Sequence, residues 1–282
     1  MPMKTRVFSM KHWRAAGFAV LAGAGLALAG CADDGQNVAV YVERPIDQIY
    51  NDAWAQIERE NWLEAGRQFD EVERQHPYSV WSRRAVLMSA YCYYQGNRYT
   101  ESIDAANRFI QLHPGNKDVP YAYYLKATSL YEQVGDVNRD QKKTDEALIA
   151  LQDLIQRFPD TEYARDARLK VDLTRDHLAG KEMTIGRFYL RQGEYLSAIN
   201  RFRTVVDKYQ TTSHTAEALE RLTESYMAMG IVKEAQTAAA VLGYNYPGTQ
   251  WYMDAYTLLT AENVAPAENE ESWISKAFRT VF

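Results

Sequence analysis

The sequence predicts an all-α protein, a superhelix of about five stacked helix pairs. Three observations predict it. Apolar residues recur at helical spacing along most of the chain, as Tyr99, Ile103, Ala106 and Ile110 do in one segment. Turns return at intervals, at Pro77, Pro114, Pro159 and Pro247, with Gln210 standing where a further proline would fall. Runs of alternating β-branched residues bounded by tight-turn dipeptides are scarce, so strands are not expected.

The N-terminus reads as an export signal. Lys4, Arg6, Lys11 and Arg14 precede an apolar run from Ala15 to Leu28 that is too short to span a bilayer comfortably. The run ends in Leu28-Ala29-Gly30-Cys31, which resembles the bacterial lipoprotein box. That resemblance implies cleavage before Cys31 and acylation of its thiol, and several acyl chains hold a protein stably on a bilayer. Ala32, rather than Asp, at the second mature position resembles an outer-membrane address. Residues 1–30 are therefore assigned to the signal and 31–44 to a lipidated tether, which extends at most ~45 Å at about 3.5 Å per residue. With Cys31 acylated, Cys92 has no disulfide partner and reads as a small buried hydrophobe.

Pro45 opens the first helix, with Ile46, Ile49, Tyr50, Ala53 and Ile57 on one face. From there the chain lays on itself, counted back from each turn position. Twelve residues before lie Ala65, Ser102, Ala147, Ala198 and Ala235, small in every unit. Eight before lie Phe69, Ala106, Leu151, Phe202 and Ala239, and five before lie Val72, Phe109, Leu154, Val205 and Leu242. Fifteen before lie Trp62, Tyr99, Thr144, Tyr195 and Val232. A small residue at a fixed place lets two helices approach, and larger ones fill the groove between neighbours.

Within each unit the helix stops at motifs such as His113-Pro114-Gly115-Asn116 and restarts at Pro120. Turn-to-turn spacings are 37, 45, 51 and 37 residues. The excess of 8 in the third unit falls in the polar loop Gly135 to Asp140, and the excess of 14 in the fourth lengthens a helix by close to four turns. Gly180 and Gly186 in that long helix are read as marking a bend. Helix pairs of this pattern resemble the tetratricopeptide repeat, whose units stack to make a concave binding groove. Residues 45–160 are assigned to N-terminal repeats and 161–262 to C-terminal repeats. Residues 263–282 form a tail: Ala261 to Glu271 is acidic and reads as disordered, and Trp273, Ala277, Phe278, Val281 and Phe282 mark a short amphipathic helix. That helix either docks on the last repeat or binds a partner.

Chemistry is hard to find. The five histidines, His12, His76, His113, His177 and His214, form no metal pair at helical spacing, and neither a glycine-rich phosphate loop nor a nucleophile elbow occurs. No catalytic residue, metal or cofactor is implied. Residues 1–30 hold four basic side chains and no acid, leaving 28 basic against 37 acidic in the rest, which argues against a nucleic-acid partner. Eight tyrosines lie between Tyr91 and Tyr131, with Arg83, Arg84, Arg98, Arg108 and Lys126 nearby. They suit a peptide groove or, for Tyr91, Tyr99 and Tyr124 first, packing between helices.

The segments Arg108 to Asn116, Phe158 to Tyr163 and Ala198 to Phe202, the Asn138-Arg139-Asp140 loop and the long fourth-unit helix together resemble the BamD family of outer-membrane assembly lipoproteins. The resemblance implies a lipid-anchored scaffold on the periplasmic face of the outer membrane. Its C-terminal repeats would hold the periplasmic domains of a BamA-like barrel subunit through Arg201 and Asn200. Its N-terminal repeats would receive targeting segments of unfolded outer-membrane proteins around Asn61, Trp62, His76, Tyr78 and Ser79. Other assembly lipoproteins would join them. Leu63 and Ser79 stand where a basic residue and Gly are common in the family. Phe282, preceded by Phe278, loosely resembles the aromatic end of barrel proteins, which raises a visit of the tail to the substrate groove. A different reading of the same repeats is an adapter of peptidoglycan or cell-division enzymes.

Overall fold

The computed structural model describes residues 43–279; Cys31, Val281 and Phe282 lie outside them. Among the described residues there are twelve helices and no strand. They are α1 (Ile46–Glu58), α2 (Trp62–Gln75), α3 (Val80–Gln95), α4 (Tyr99–Leu112), α5 (Val119–Tyr131), α6 (Lys142–Arg157), α7 (Glu162–Arg191), α8 (Tyr195–Lys208), α9 (Thr215–Ala228), α10 (Val232–Asn245), α11 (Gln250–Ala261) and α12 (Trp273–Arg279). Each of α1 to α10 packs on its neighbours in the chain, giving five antiparallel pairs in a continuous stack, with α11 resting on α9 and α10.

The repeat register is the core. All fifteen residues at the twelve-, eight- and five-before positions are at most 1 % exposed. The one polar residue at the small position, Ser102, is satisfied: its Oγ donates to the carbonyl of Ala90 (2.8 Å) and accepts from Ser129 (3.0 Å). At the five-before position the side chain is buried and the carbonyl closes the helix. His76, His113, Phe158, Tyr209 and Tyr246 each donate their backbone N–H to it, with φ between −130° and −133°. Four of these residues precede proline, which disfavours helical backbone there. Tyr209 precedes Gln210 and adopts the same φ, so packing imposes at that turn what proline imposes at the others.

The turn inside each pair also repeats. Glu60, Asn97, Gly193 and Gly230, each seventeen residues before its turn position, have φ of 56°, 57°, 76° and 72°. The third unit lacks this turn, and the extra residues form the loop between α5 and α6, braced by Asp136, whose carboxylate accepts from the backbone and side chain of Asn138 (2.8 and 2.9 Å).

Helix α7 runs unbroken for 30 residues. Its glycines serve close approach rather than marking a break: a Cβ on Gly186 would collide with the ring of Phe202 in α8, and one on Gly180 would crowd His214 at 3.1 Å. Ala167 and Val171 of α7 join the α6 cluster, while Ala179 and Met183 join the C-terminal one, so a single helix carries the core from one half to the other.

The acidic segment after α11 also differs from its composition-based expectation. Gln236 in α10 accepts from the N–H of Ala267 (3.3 Å) and donates to the carbonyl of Ala265 (2.7 Å). Helix α12 then docks on α8 and α10, burying Ile274 and Phe278. Cys92 is fully buried, and burial pushes its thiol up to about 12, so it stays protonated and inert.

Candidate partner and peptide surfaces

The five N-terminal site residues fall into two groups that α2 holds apart, by roughly 20 Å at 1.5 Å per residue. At its start, Asn61 is exposed and donates to Gln56 (3.0 Å), and Trp62 meets the edge of the Tyr91 ring at 6.0 Å. At its end, the ring Nε2 of His76 is 2.8 Å from the carbonyl of Arg44, and its Nδ1 is 3.5 Å from Glu43, so the imidazole pins the chain leading into α1. Ser79 is the N-cap of α3, its Oγ accepting from the N–H of Trp81 (3.2 Å). Only Tyr78 of the five is wholly free, at 101 % exposure.

Two residues on from Tyr78, Val80 lines a cavity of about 510 Å³. Leu87, Met88 and Phe109 supply its apolar lining and Arg83, Arg84 and Lys117 its cations, with Asn116 and the carboxylate-bearing Asp118 beside them. None of these three cations has a carboxylate at ion-pair distance among the described residues. The field of Arg83 is felt nearby: His113 is held below its ordinary value, first by burial and then by Arg83. Val80 and Trp81 extend the apolar surface outward, at 72 % and 46 % exposure. Three cations against the one acid, Asp118, leave the cavity net positive, which suits an extended segment with bulky apolar side chains and an anionic group. Sequence reasoning noted Arg83 and Arg84 but missed Lys117, which the turn after α4 brings across to them.

The tyrosine-rich region is occupied by the fold. The Tyr93 hydroxyl donates to Asp70 (2.6 Å), and Arg108 bridges Asp70 (2.9 Å) and Glu73 (3.2 Å). Tyr124 donates to Asp166 (2.9 Å), and its ring packs with Tyr121 and Tyr163. These rings join neighbouring helices and are not free for a ligand.

In the C-terminal half, Asn200 and Arg201 lie on α8. Asn200 is exposed; Arg201 donates to Glu182 of α7 (3.2 Å), its side chain still 42 % exposed. Glu182 fixes the guanidinium without consuming its donors. Among the described residues no group of three or more His, Cys, Asp or Glu side chains is placed to hold a metal ion, and no helix is long and apolar enough to cross a membrane.

Comparison with known proteins adds a family to this geometry. The family described as "YfiO: Outer membrane lipoprotein" matches residues 42–242, which takes in all of α1 to α9 and most of α10. The outer membrane protein assembly factor BamD of Caulobacter vibrioides is 54% identical over 241 residues, covering 85% of this chain and 79% of that protein. The chain belongs to the BamD family. The BamD proteins of Rickettsia prowazekii, 46% identical over 83% of this chain and 93% of that protein, and of Neisseria meningitidis serogroup A, 29% identical over 82% and 92%, are further relatives.

This BamD-family chain also carries an ionic cluster that sequence reasoning did not single out. Arg187 of α7 donates twice to Glu217 of α9 (2.7 and 2.5 Å), a bidentate pair that ties the long helix to the next repeat. Beside it Arg221 contacts Glu220 (3.2 Å) and Glu224 (2.8 Å) and lies over the Trp251 ring at 5.7 Å. Burial pushes Glu217 up, but the bonds and charge of Arg187, with Arg221 behind it, hold it below the ordinary carboxylate value, whereas burial pushes Glu220 up to about 7. Helical i, i+3 and i, i+4 spacing of the acids around Arg221 was the available signal.

Proposed function

We propose that the chain is a non-enzymatic scaffold for outer membrane protein assembly. The observation that carries this reading is its 54% and 46% identity, over most of its length, to proteins named outer membrane protein assembly factor BamD. The stack supports it, since stacked helix pairs present extended surfaces to other chains. The chain is held at the periplasmic face of the outer membrane by acyl chains on Cys31, and the tether 31–44 leads from that anchor to α1. The exposed guanidinium of Arg201, steadied by Glu182, pairs with a carboxylate on the periplasmic domains of a BamA-like barrel subunit, with Asn200 alongside. Targeting segments of unfolded outer-membrane proteins occupy the cavity that Val80 lines, their apolar side chains on Leu87, Met88 and Phe109 and their negative charge on Arg83, Arg84 and Lys117. His76 and Ser79 shape that surface from behind, through the chain leading into α1 and the cap of α3. Asn61 and Trp62 serve a separate contact at the other end of α2. Other assembly lipoproteins attach elsewhere on the stack. The adapter of cell-wall enzymes draws no support from the relatives.

The test is affinity purification of the tagged chain from outer membranes in mild detergent. The expected result is co-purification of an outer-membrane barrel protein with periplasmic repeats. Arg201→Glu is expected to lose that barrel protein while circular dichroism stays unchanged, and Cys31→Ser to leave the chain in the soluble fraction. Recovery of cell-wall enzymes in its place overturns the scaffold reading. A complex indifferent to Arg201→Glu overturns the role of that residue alone.

A further inference from the structure

The second helices of successive pairs leave a groove between them, floored by the intervening first helix, and three such grooves can be laid on one another by the repeat register. Sixteen residues after the turn position, the floor residue is Tyr93 between α2 and α4, Leu130 between α4 and α6, and Tyr226 between α8 and α10.

The first groove is bridged by its own side chains. Arg108 crosses from α4 to Asp70 and Glu73 of α2, and Asp70 accepts the Tyr93 hydroxyl. The third is filled by the chain's own α12. Ser272 donates to Glu234 (2.6 Å), Trp273 donates to the Tyr226 hydroxyl (3.2 Å) with Arg203 over its ring at 4.6 Å, and Ile274 and Phe278 are buried. Val241 and Tyr244 wall its far end beside Phe278 and Arg279.

The middle groove has neither. It is a cavity of about 610 Å³ lined by Ile103 of α4, Leu130 and Lys126 of α5, and Glu146, Ile149 and Asp153 of α6, among others. No hydrogen bond or ion pair joins α4 to α6 among the described residues; Glu146 and Asp153 pair only within their own helix, with Lys143 and Arg157. Ile149 stands in it 67 % exposed. Position by position it matches the filled groove: Glu146 has the register of Glu234, Leu130 of Tyr226, Asp153 of Val241 and Gln156 of Tyr244.

We propose that the groove between α4 and α6 is a docking site for one short amphipathic helix of a partner protein, seated as α12 is seated between α8 and α10. The differences between the two grooves set its chemistry. Leu130 has no hydroxyl where Tyr226 accepts the indole of Trp273, so the leading anchor is aliphatic or Phe rather than Trp, which would bury an unpaired N–H. Two apolar side chains four residues apart, spaced as Ile274 and Phe278 are, fill the floor. Glu146 sits at the incoming N-terminus, where Glu234 meets the start of α12 and a negative charge favours the helix dipole. Asp153 replaces the apolar Val241, so the last turn of the incoming helix carries Lys or Arg.

The probe is a stapled, fluorescein-labelled peptide of residues 268–279 carrying Trp273→Leu, titrated against the full chain by fluorescence anisotropy. Saturable binding is expected. Ile149→Glu, at an exposed site that leaves the core intact, should weaken it at least tenfold, and Tyr244→Glu, on the wall of the occupied groove, should leave it unchanged. Absence of saturable binding up to millimolar chain overturns the proposal. So does loss with Tyr244→Glu but not Ile149→Glu, which means the peptide has displaced α12. Tighter binding by the unsubstituted peptide than by its Trp273→Leu form also overturns it, and makes the tail of a second copy the occupant.

Discussion

Phe202→Ala lowers the stability of the C-terminal repeats by about 3–5 kcal/mol, the range for truncating a fully buried Phe. The ring is 0 % exposed and fills the space that the missing side chain of Gly186 leaves open between α7 and α8. Truncation therefore removes apolar burial and opens a cavity at the closest approach of the two helices. The neighbours that would have to collapse into it, Met183, Ala198 and Leu219, are themselves buried in the same cluster. A repeat stack transmits stability mainly between nearest neighbours, so the loss should be local. Urea unfolding followed by circular dichroism gives the total. Hydrogen exchange gives the location, with faster exchange in α7 to α10 and little change in α1 to α4. A loss below about 1 kcal/mol would contradict the fit of ring to glycine, since even partial relaxation leaves a cavity cost.

Glu220→Gln should raise stability at pH 8 and change it little at pH 4. Glu220 is 6 % exposed, and burial pushes its carboxyl from an ordinary 4.5 up to about 7. The folded state thus holds the proton more tightly than the unfolded state. The stability that goes with this protonation is complete below the unfolded value and disappears as pH rises through the folded one. At pH 8 the wild-type chain carries a buried charge. Gln removes it and keeps the shape, a gain of about 3 kcal/mol at 1.36 kcal/mol per pKa unit. Arg221 remains paired through Glu224 at 2.8 Å and stays near Glu217 at 3.8 Å, so the substitution does not strand a cation. Thermal melts of both chains should coincide at pH 4 and separate at pH 8. A variant less stable than wild type at pH 8 would mean that the Glu220–Arg221 contact at 3.2 Å outweighs burial.

The fold was legible because its core is periodic. The three register positions require nothing beyond counting from a turn residue, and all fifteen residues they pick out are buried. The long helix α7 was legible for the same reason, as 14 added residues keep a helical face in phase. What counting does not give is the identity of the facing atom. Gly186 reads as a weak point in a helix until Phe202, sixteen residues on, is seen against it. The segment after α11 reads as disordered because its composition is acidic, and composition is blind to the two bonds that Gln236 makes to it, one through its backbone carbonyl and one through its side-chain amide. The N-terminal site residues suffered in the same way. His76 and Tyr78 are two residues apart, yet one is held by Arg44 and the other points into solvent. The cations of the neighbouring cavity come from α3 and from the turn after α4, a juxtaposition that only the stacking creates.

The central claim is that this stack of helices assists the assembly of outer-membrane proteins by holding other chains. Depleting it from its native cell and quantifying the outer membrane by mass spectrometry tests that claim most directly. The account predicts that many β-barrel proteins fall together while acylated proteins of the same membrane persist. Barrel proteins at unchanged levels, with altered cross-linking of the cell wall instead, would contradict it.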